Sequence, residues 1–368
     1  MTLRRHWDIF CRVIDNFGDI GVCWRLARQL AHEHRLDIRL WVDDLESAQR
    51  ILPALDLAQP AQWVDGVAIH HWLPEFTFDR VADVVIEAFA CDLPQPYLQA
   101  MVDRRPIWLN LEYLSAEPWV EEYHLQPSPH PRLPLRKTFF FPGFTEHTGG
   151  LLRESGLLEA RDAFMQRHQQ SGIDHLPLQV SLFCYPDAPI RQLLTSMAEG
   201  PRPVFCRIPS TGILPAVSDF FGASQLHIGH EARRGQLTVE ILPFLSQDAY
   251  DRLLWSCDLN FVRGEDSWIR AIWAARPFIW QPYRQQEDTH LAKLRAFLKH
   301  YRQDCEHGAT AVLEQFHHAW TNGNLETAHW QRLLQSLPTL RTHAALRSEI
   351  LAQQPDLASK LVIFCENS

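Results

Sequence analysis

Two short stretches of this 368-residue chain carry residue types able to do chemistry. Near the N-terminus, Cys11-Arg12-Val13-Ile14-Asp15-Asn16-Phe17-Gly18-Asp19-Ile20-Gly21 sets two carboxylates four residues apart in a glycine-punctuated segment. Acids that close repel each other, so their proximity needs a reason. The plain alternative is that one caps a helix and the other sits in a solvated turn. Far downstream, Phe261-Val262-Arg263-Gly264-Glu265-Asp266-Ser267-Trp268-Ile269-Arg270 concentrates polar groups in an apolar setting. Asp266 or Ser267 suits a helix N-cap, and the free amides of a helix start, joined by the bidentate charge of Arg263, make a diphosphate site. A capped helix bearing a surface Arg–Glu pair is the competing reading.

Both stretches are placed by the same kind of element. Trp7 to Ile14 is short, β-branched and aromatic, while Ile20, Cys23, Trp24, Ala27, Leu30 and Ala31 repeat at the spacing of one buried helix face. Strand, loop and helix in that order belong to a doubly wound sheet, whose ligand crevice lies at the carboxyl ends of the strands. The alternation continues through 37–42, 44–52, 67–72, 81–86, 96–103 and 107–111. Glu87 and Glu112 fall just past strands and rank as second-tier site candidates, or else as helix-start acids. A proline-rich segment, 126–142, reads as loop and edge strand, and 153–170 as helical. A second alternating set begins at 178–183, breaks at Cys184-Tyr185-Pro186-Asp187 and proceeds through strands at 204–208, 237–242, 259–262 and 278–280. Helices at 188–198, 247–257 and 268–275 lie between them, and beyond Gln281 the pattern is helical throughout, at 289–301, 310–320, 327–336, 340–352 and 357–364.

Composition narrows the function class. A length of 368 residues exceeds one core at roughly 100–200 residues per domain, so two domains are expected. The formal charge of −9 argues against a surface for phosphate backbones, and a basic partner suits it better than nucleic acid. Eight cysteines without a Cys-x-x-Cys pair, mostly in apolar runs, have the pattern of free thiols in a reducing cytoplasm. No run of eighteen apolar residues is present, so no membrane span is expected, and no signal peptide precedes the first strand. Nineteen histidines offer no His-Glu-x-x-His motif, so no metal is expected; His32 and His34 read as surface.

The two motifs and the tandem α/β architecture resemble the GT-B glycosyltransferases. Within them, Val13 to Gly21, Ser181-Leu182-Phe183-Cys184-Tyr185 and Phe261 to Ser267 are similar to the family of elongation factor P arginine rhamnosyltransferases, EarP, over nearly the whole chain. The resemblance implies two Rossmann-like domains facing across a cleft, with a C-terminal helix returning to the first. Boundaries are expected at 1–172 plus 340–368 for the acceptor-side domain and 173–339 for the nucleotide-sugar-binding domain. It further implies inverting transfer of L-rhamnose from dTDP-β-L-rhamnose to an arginine guanidino nitrogen of elongation factor P, without metal or other cofactor, in the cytoplasm. Carried over by position, the catalytic carboxylates fall on Asp15, Asp19 and Glu265. The donor residues fall on Asn16, Phe17, Gly18, Phe183, Tyr185, Phe244, Gln247, Arg263, Glu265, Asp266 and Ser267.

Elementary chemistry agrees with such roles. An arginine side chain has a pKa above about 12, which leaves on the order of one part in a hundred thousand neutral at pH 7. Carboxylates must therefore hold the guanidinium, orient one nitrogen and take its proton as the C–N bond forms. Asp19 is the first choice for base and Asp15 for orientation; Glu265 steadies the sugar or the base. Tyr185 or Phe183 stacks on thymine, or is an ordinary core aromatic. Two other classes fit the residues: another sugar-nucleotide enzyme with a small acceptor, whether glycosyltransferase or epimerase, and a non-catalytic nucleotide-sugar-binding protein.

Overall fold

The computed structural model describes residues 6–14, 17–73, 75, 77–169, 177–284, 288–303, 305 and 307–368. They form two units, 1–155 with 352–368 and 156–351. The first is ordered as β1 (His6–Cys11), α1 (Gly18–Glu33), β2 (Asp37–Val42), α2 (Leu45–Ile51), β3 (Ala61–Val64), β4 (Val67–His71), β5 (Val84–Ala88), α3 (Gln95–Arg104), β6 (Ile107–Leu111), α4 (Trp119–Tyr123), β7 (Pro127–Pro129) and β8 (Arg136–Phe140). The second runs α5 (Leu157–Gln169), β9 (Leu178–Leu182), α6 (Ile190–Ala198), β10 (Val204–Pro209), α7 (Leu214–Phe221), β11 (Glu231–Arg234), β12 (Leu237–Leu242), α8 (Gln247–Ser256), β13 (Leu259–Arg263), α9 (Asp266–Trp273), β14 (Phe278–Gln281), α10 (Thr289–Tyr301), α11 (His307–Thr321) and α12 (Thr327–Ala352). The last helix, α13 (Leu357–Glu366), belongs to the first unit.

Each unit is a Rossmann-like sheet. The first has strand order β3-β4-β2-β1-β5-β6-β8-β7, parallel except for the antiparallel edge strands β3 and β7. The chain leaves β1 toward β2 and returns to its other side with β5, so the sheet reverses direction at β1, where such folds bind ligands. Ile9, Phe10 and Cys11 are fully buried, as befits a strand covered on both faces. Helix α3 brings Tyr97 and Met101 onto one face, where they pack with Phe10, Trp41 and Trp108. Asp8, the charge that interrupts the first apolar run, sits directly opposite Arg39 on β2 and accepts its Nε at 2.6 Å and Nη2 at 2.7 Å.

Helix α1 is buried on nearly every side because α13 also packs against it. Gln29 donates to Arg153 O (2.8 Å) and Asp356 Oδ1 (3.0 Å), and the Leu357 amide donates to Leu151 O. Gly150, at φ +75°, allows the chain to pass: a Cβ there would stand 2.7 Å from Pro355 O.

The second sheet is ordered β11-β12-β10-β9-β13-β14, with only β11 antiparallel. Its direction reverses at β9, which pairs with β10 on one side and β13 on the other. The unit begins before the expected position 173, because Arg161 of α5 donates to Trp273 O (2.9 Å) and Ser348 Oγ (3.1 Å). Phe164 of the same helix packs on Trp255. The unit also ends later than 339. Segments 327–336 and 340–352, expected as two helices, form the single helix α12 with Pro338 inside it. Among the described residues no helix is long and apolar enough to cross a membrane.

Candidate active site

In the first unit the loop after β1 is tied down by two carboxylates. Asp43 Oδ1 accepts the Val13 amide at 2.8 Å, and Asp19 Oδ2 accepts the Ile14 amide at 2.8 Å. Asp19 is the second residue of α1 and is 1% exposed. Its other oxygen accepts from the Tyr113 hydroxyl at 3.1 Å. The N-cap position belongs to Phe17, whose side chain makes no capping bond. Asp19 is thus no helix cap: its carboxylate turns back onto the loop. Phe17 and Gly18 are half-buried, with the Arg50 guanidinium 5.8 Å from the Phe17 ring centre. Asp15 and Asn16 lie outside the described residues.

Tyr113, two residues past β6, stacks on Phe89 with ring centres 4.3 Å apart and planes 13° from parallel. Phe89 opens a corner in which Phe89, Ala90 and Asp92 all take left-handed backbone, φ 56°, 52° and 56°. Such conformations cost about 1–3 kcal/mol each and persist only where the surroundings impose them. Here the amide of Phe89 donates to Leu111 O (2.7 Å), that of Ala90 to Asn110 Oδ1 (3.1 Å) and that of Asp92 to Glu87 Oε1 (3.2 Å). Glu87, 2% exposed, also pairs with Lys137 Nζ at 3.0 Å. Glu87 is therefore an anchor of this corner and starts no helix; Glu112 accepts from Asn110 Nδ2 and starts none either. The Cys11 thiol beneath is pushed well up by its hydrogen bond to Cys23, by burial and by the charges of Asp19 and Asp43, so it is no nucleophile.

In the second unit, Phe183 and Tyr185 follow β9 and Arg263 ends β13, the neighbouring parallel strand. The Arg263 guanidinium carbon lies 4.6 Å from the Phe183 ring centre and 4.4 Å from that of Tyr185. Cation–π contacts of this kind are worth about 0.5–2 kcal/mol and hold the charge where the β13–α9 turn begins. Phe183 is half-buried and Tyr185 is 8% exposed. Tyr250 meets the Phe183 ring edge-on, and Tyr283 that of Tyr185. The Tyr185 amide is fixed by Gln281 Oε1 at 2.9 Å, whose Nε2 reaches Asp187 Oδ1 at 3.1 Å.

The start of α9 differs from the expectation. Neither Asp266 nor Ser267 is its N-cap: Glu265 holds that position and makes no side-chain capping bond. Ser267 Oγ accepts the Arg263 amide at 3.1 Å and donates to Arg263 O, closing the turn on itself. Gly264, at φ 61°, donates its amide to Gln281 O and accepts Trp280 Nε1 at 2.8 Å. Glu265 and Asp266 are half-buried. Arg270 is committed to Asp251 in a buried bidentate pair, Nε to Oδ1 at 2.9 Å and Nη2 to Oδ2 at 2.7 Å. Phe244, half-buried, and Gln247, 8% exposed at the first position of α8, lie past the carboxyl end of β12, two strands from β9. Among the described residues no group of three or more His, Cys, Asp or Glu side chains could hold a metal ion.

Three residues were missed by sequence reasoning. Tyr113 stands beside the flagged Glu112, and Gln281 is a polar residue buried at a strand end, so position offered a signal for both. Tyr250 is an interior helix position with no distinguishing context.

The sequence profile of the family described as "Elongation-Factor P (EF-P) rhamnosyltransferase EarP" matches residues 7–366. A protein-arginine rhamnosyltransferase of Pseudomonas putida is 48% identical over 377 aligned positions, covering 100% of both chains. Among solved structures, one described as the structural basis for EarP-mediated arginine glycosylation of translation elongation factor EF-P superposes with TM-score 0.70 at 38% identity, over 99% of this chain and 100% of that one. MurG of Acinetobacter baumannii, at 12% identity and TM-score 0.56 over 100% of both chains, shares the GT-B fold alone. The profile match from β1 to α13, with the two Rossmann-like units behind it, places this chain in the elongation factor P rhamnosyltransferase family, EarP, among the GT-B glycosyltransferases.

Proposed function

We propose that this chain transfers L-rhamnose from dTDP-β-L-rhamnose to a guanidino nitrogen of one arginine of elongation factor P, inverting the anomeric carbon. The family match over residues 7–366 carries the reading, and the geometry of each unit supplies parts suited to it. The second unit takes the donor. Arg263 and the α9 start, whose N-cap residue Glu265 makes no side-chain capping bond, receive the diphosphate and offset the charge that grows on it. Phe183, the half-buried ring, stacks on thymine, whereas Tyr185 is too covered to do so and steadies Arg263 instead. Ser267 acts through Arg263 by closing its turn. Phe244, Gln247, Glu265 and Asp266 complete the donor set, and no metal has a role.

The first unit takes the acceptor. Asp19, with Asp15, holds the guanidinium; one nitrogen attacks the anomeric carbon on the face opposite the departing diphosphate. As the C–N bond forms, the C–O bond breaks, its electron pair leaves with the diphosphate oxygen, and the nitrogen's proton passes to Asp19. Asp19 is buried, so docking of the acceptor must uncover it. Action on a translation factor places the reaction in the cytoplasm.

The test is to mix the pure protein with dTDP-rhamnose and elongation factor P and to weigh the factor by intact mass. One added deoxyhexose is expected. Nucleotide release without mass gain would point to a different acceptor, and binding without turnover to a non-catalytic protein; either overturns the reading.

A further inference from the structure

We infer that Tyr113 is a positioning residue for the acceptor-side carboxylate: seated on Phe89 at the strained corner after β5, its hydroxyl fixes the plane of Asp19. A carboxylate on the first turn of a helix rotates about its last side-chain bond unless both oxygens are held. Among the described residues, two anchors of Asp19 differ in kind. The Ile14 amide holds Oδ2 and belongs to the loop; the Tyr113 hydroxyl holds Oδ1 from the segment that leaves the sheet strand β6. The sheet-side anchor is the rigid one. The Tyr113 ring lies flat on Phe89, and Phe89 keeps its left-handed backbone because Leu111 O takes its amide, while Asn110 and Glu87 take those of Ala90 and Asp92. The corner therefore has a task that accounts for three left-handed residues in succession of four: it sets a ring, and the ring sets a hydroxyl.

Cys11 stays protonated over the working pH range, as its burial and its bond to Cys23 require, and Asp43, which holds Val13, adds a second negative charge near that thiol. The Tyr113 hydroxyl donates to Asp19 Oδ1, so removing it takes away the anchor that comes from the far side of the loop.

The role as a positioner for catalysis rests on the proposed transfer reaction, but its physical core is testable without it. In Tyr113→Phe the ring stack survives and only the hydroxyl is lost. With selectively ¹³C-labelled aspartate, the Asp19 carboxyl signal, assigned by its absence in Asp19→Asn, is expected to move in Tyr113→Phe relative to the parent at one fixed neutral pH, with the melting temperature nearly unchanged. In the transfer assay, a hydrogen bond to a charged group is worth about 1.5–3 kcal/mol, so turnover is expected to fall by roughly 10- to 100-fold. The affinity for dTDP is expected to stay parental. Adding Tyr113→Phe to Asp19→Asn is expected to cost nothing further. An unmoved Asp19 carboxyl signal, or a loss that simply multiplies with that of Asp19→Asn, overturns the inference. Failure of the parent protein to transfer rhamnose would instead overturn the functional reading, with the carboxyl signal still deciding the role of Tyr113.

Discussion

The loop after β1 and the loop after β13 are built alike, yet the side chain each holds in place carries the opposite charge. Each leaves a parallel strand beside the point where its sheet reverses direction, and each enters a helix whose N-cap residue, Phe17 in one and Glu265 in the other, makes no side-chain capping bond. In the first, a carboxylate from the helix turns back to hold a loop amide; in the second, a serine from the helix turns back to hold the amide of an arginine. What is held in place is an anion in one unit and a cation in the other. A helix start favours negative charge, so Asp19 gains from its position, whereas Arg263 faces a positive helix end and needs the faces of Phe183 and Tyr185 to keep it there. The same backbone device therefore holds a side chain of either sign, provided that the groups around it compensate.

The largest effect expected from breaking this symmetry is at Asp19. Asparagine is isosteric and can accept from Ile14 while offering its amide to the Tyr113 oxygen, so Asp19→Asn should melt close to the parent. Removal of a general base costs about 10²–10⁴-fold in rate, and turnover of dTDP-rhamnose with elongation factor P should drop by at least about a hundredfold. Titration with dTDP should give nearly parental affinity. Turnover close to that of the parent would transfer the base to Asp15 or Glu265.

Arg263→Ala is the matching experiment in the second unit, with the opposite signature. Loss of charge-assisted bonds to a diphosphate, at about 1.5–3 kcal/mol, should weaken dTDP binding by roughly 10- to 100-fold in calorimetry. If Asp19→Asn weakened dTDP more than Arg263→Ala, the division of labour between the units would be wrong. Arg263→Lys sharpens the point. It keeps the charge and loses the planar fork that lies between the two rings, so an intermediate loss, smaller than that of alanine, is expected.

The smallest effect is one that both units should show. His317 accepts the Trp280 amide at 3.0 Å and His124 accepts the Phe141 amide at 3.1 Å, and burial lowers each from 6.5 to about 4. The unfolded chain binds the proton first as pH falls, so the stability each neutral ring contributes is intact above about pH 6.5 and is lost progressively between there and about pH 4. At pH 5.5 the loss should be on the order of 1 kcal/mol per histidine, or a few degrees in melting temperature. Comparing melts at pH 7.5 and 5.5 checks it; a His317→Gln variant should flatten its unit's share, and a pH-independent melt would show that these rings protonate freely.

Much of this was readable from residues alone, because the signals were local. Strand–loop–helix order at 7–31 and 178–198 is written in periodicity and in where polar residues interrupt apolar runs. The Asp19 and Arg263 motifs stand out for the same reason. Asp8 shows the limit of that signal: an acid inside an apolar strand looks like chemistry, yet it is matched across the sheet by Arg39, and only strand register tells the two cases apart. Proline reads as a helix break at 338, but tertiary packing of Leu333, Leu337 and Leu340 outweighs one lost backbone bond.

By itself, then, the amino-acid sequence determined the α/β class, the tandem units and the two stretches that leave the carboxyl ends of β1 and β13, since propensity and periodicity act over a few residues and need no partner. Only the tertiary structure decided which group holds which. That Asp19 holds a loop amide rather than capping α1, and that Ser267 closes on Arg263 rather than starting α9, are choices among local bonds four or five residues apart that spacing alone leaves open, whereas Tyr113 reaching Asp19 across 94 positions of chain depends on which strand ends lie side by side. Adjacency of that kind is fixed by strand order and packing, and a hydrogen bond between residues so far apart leaves no mark on the spacing of either.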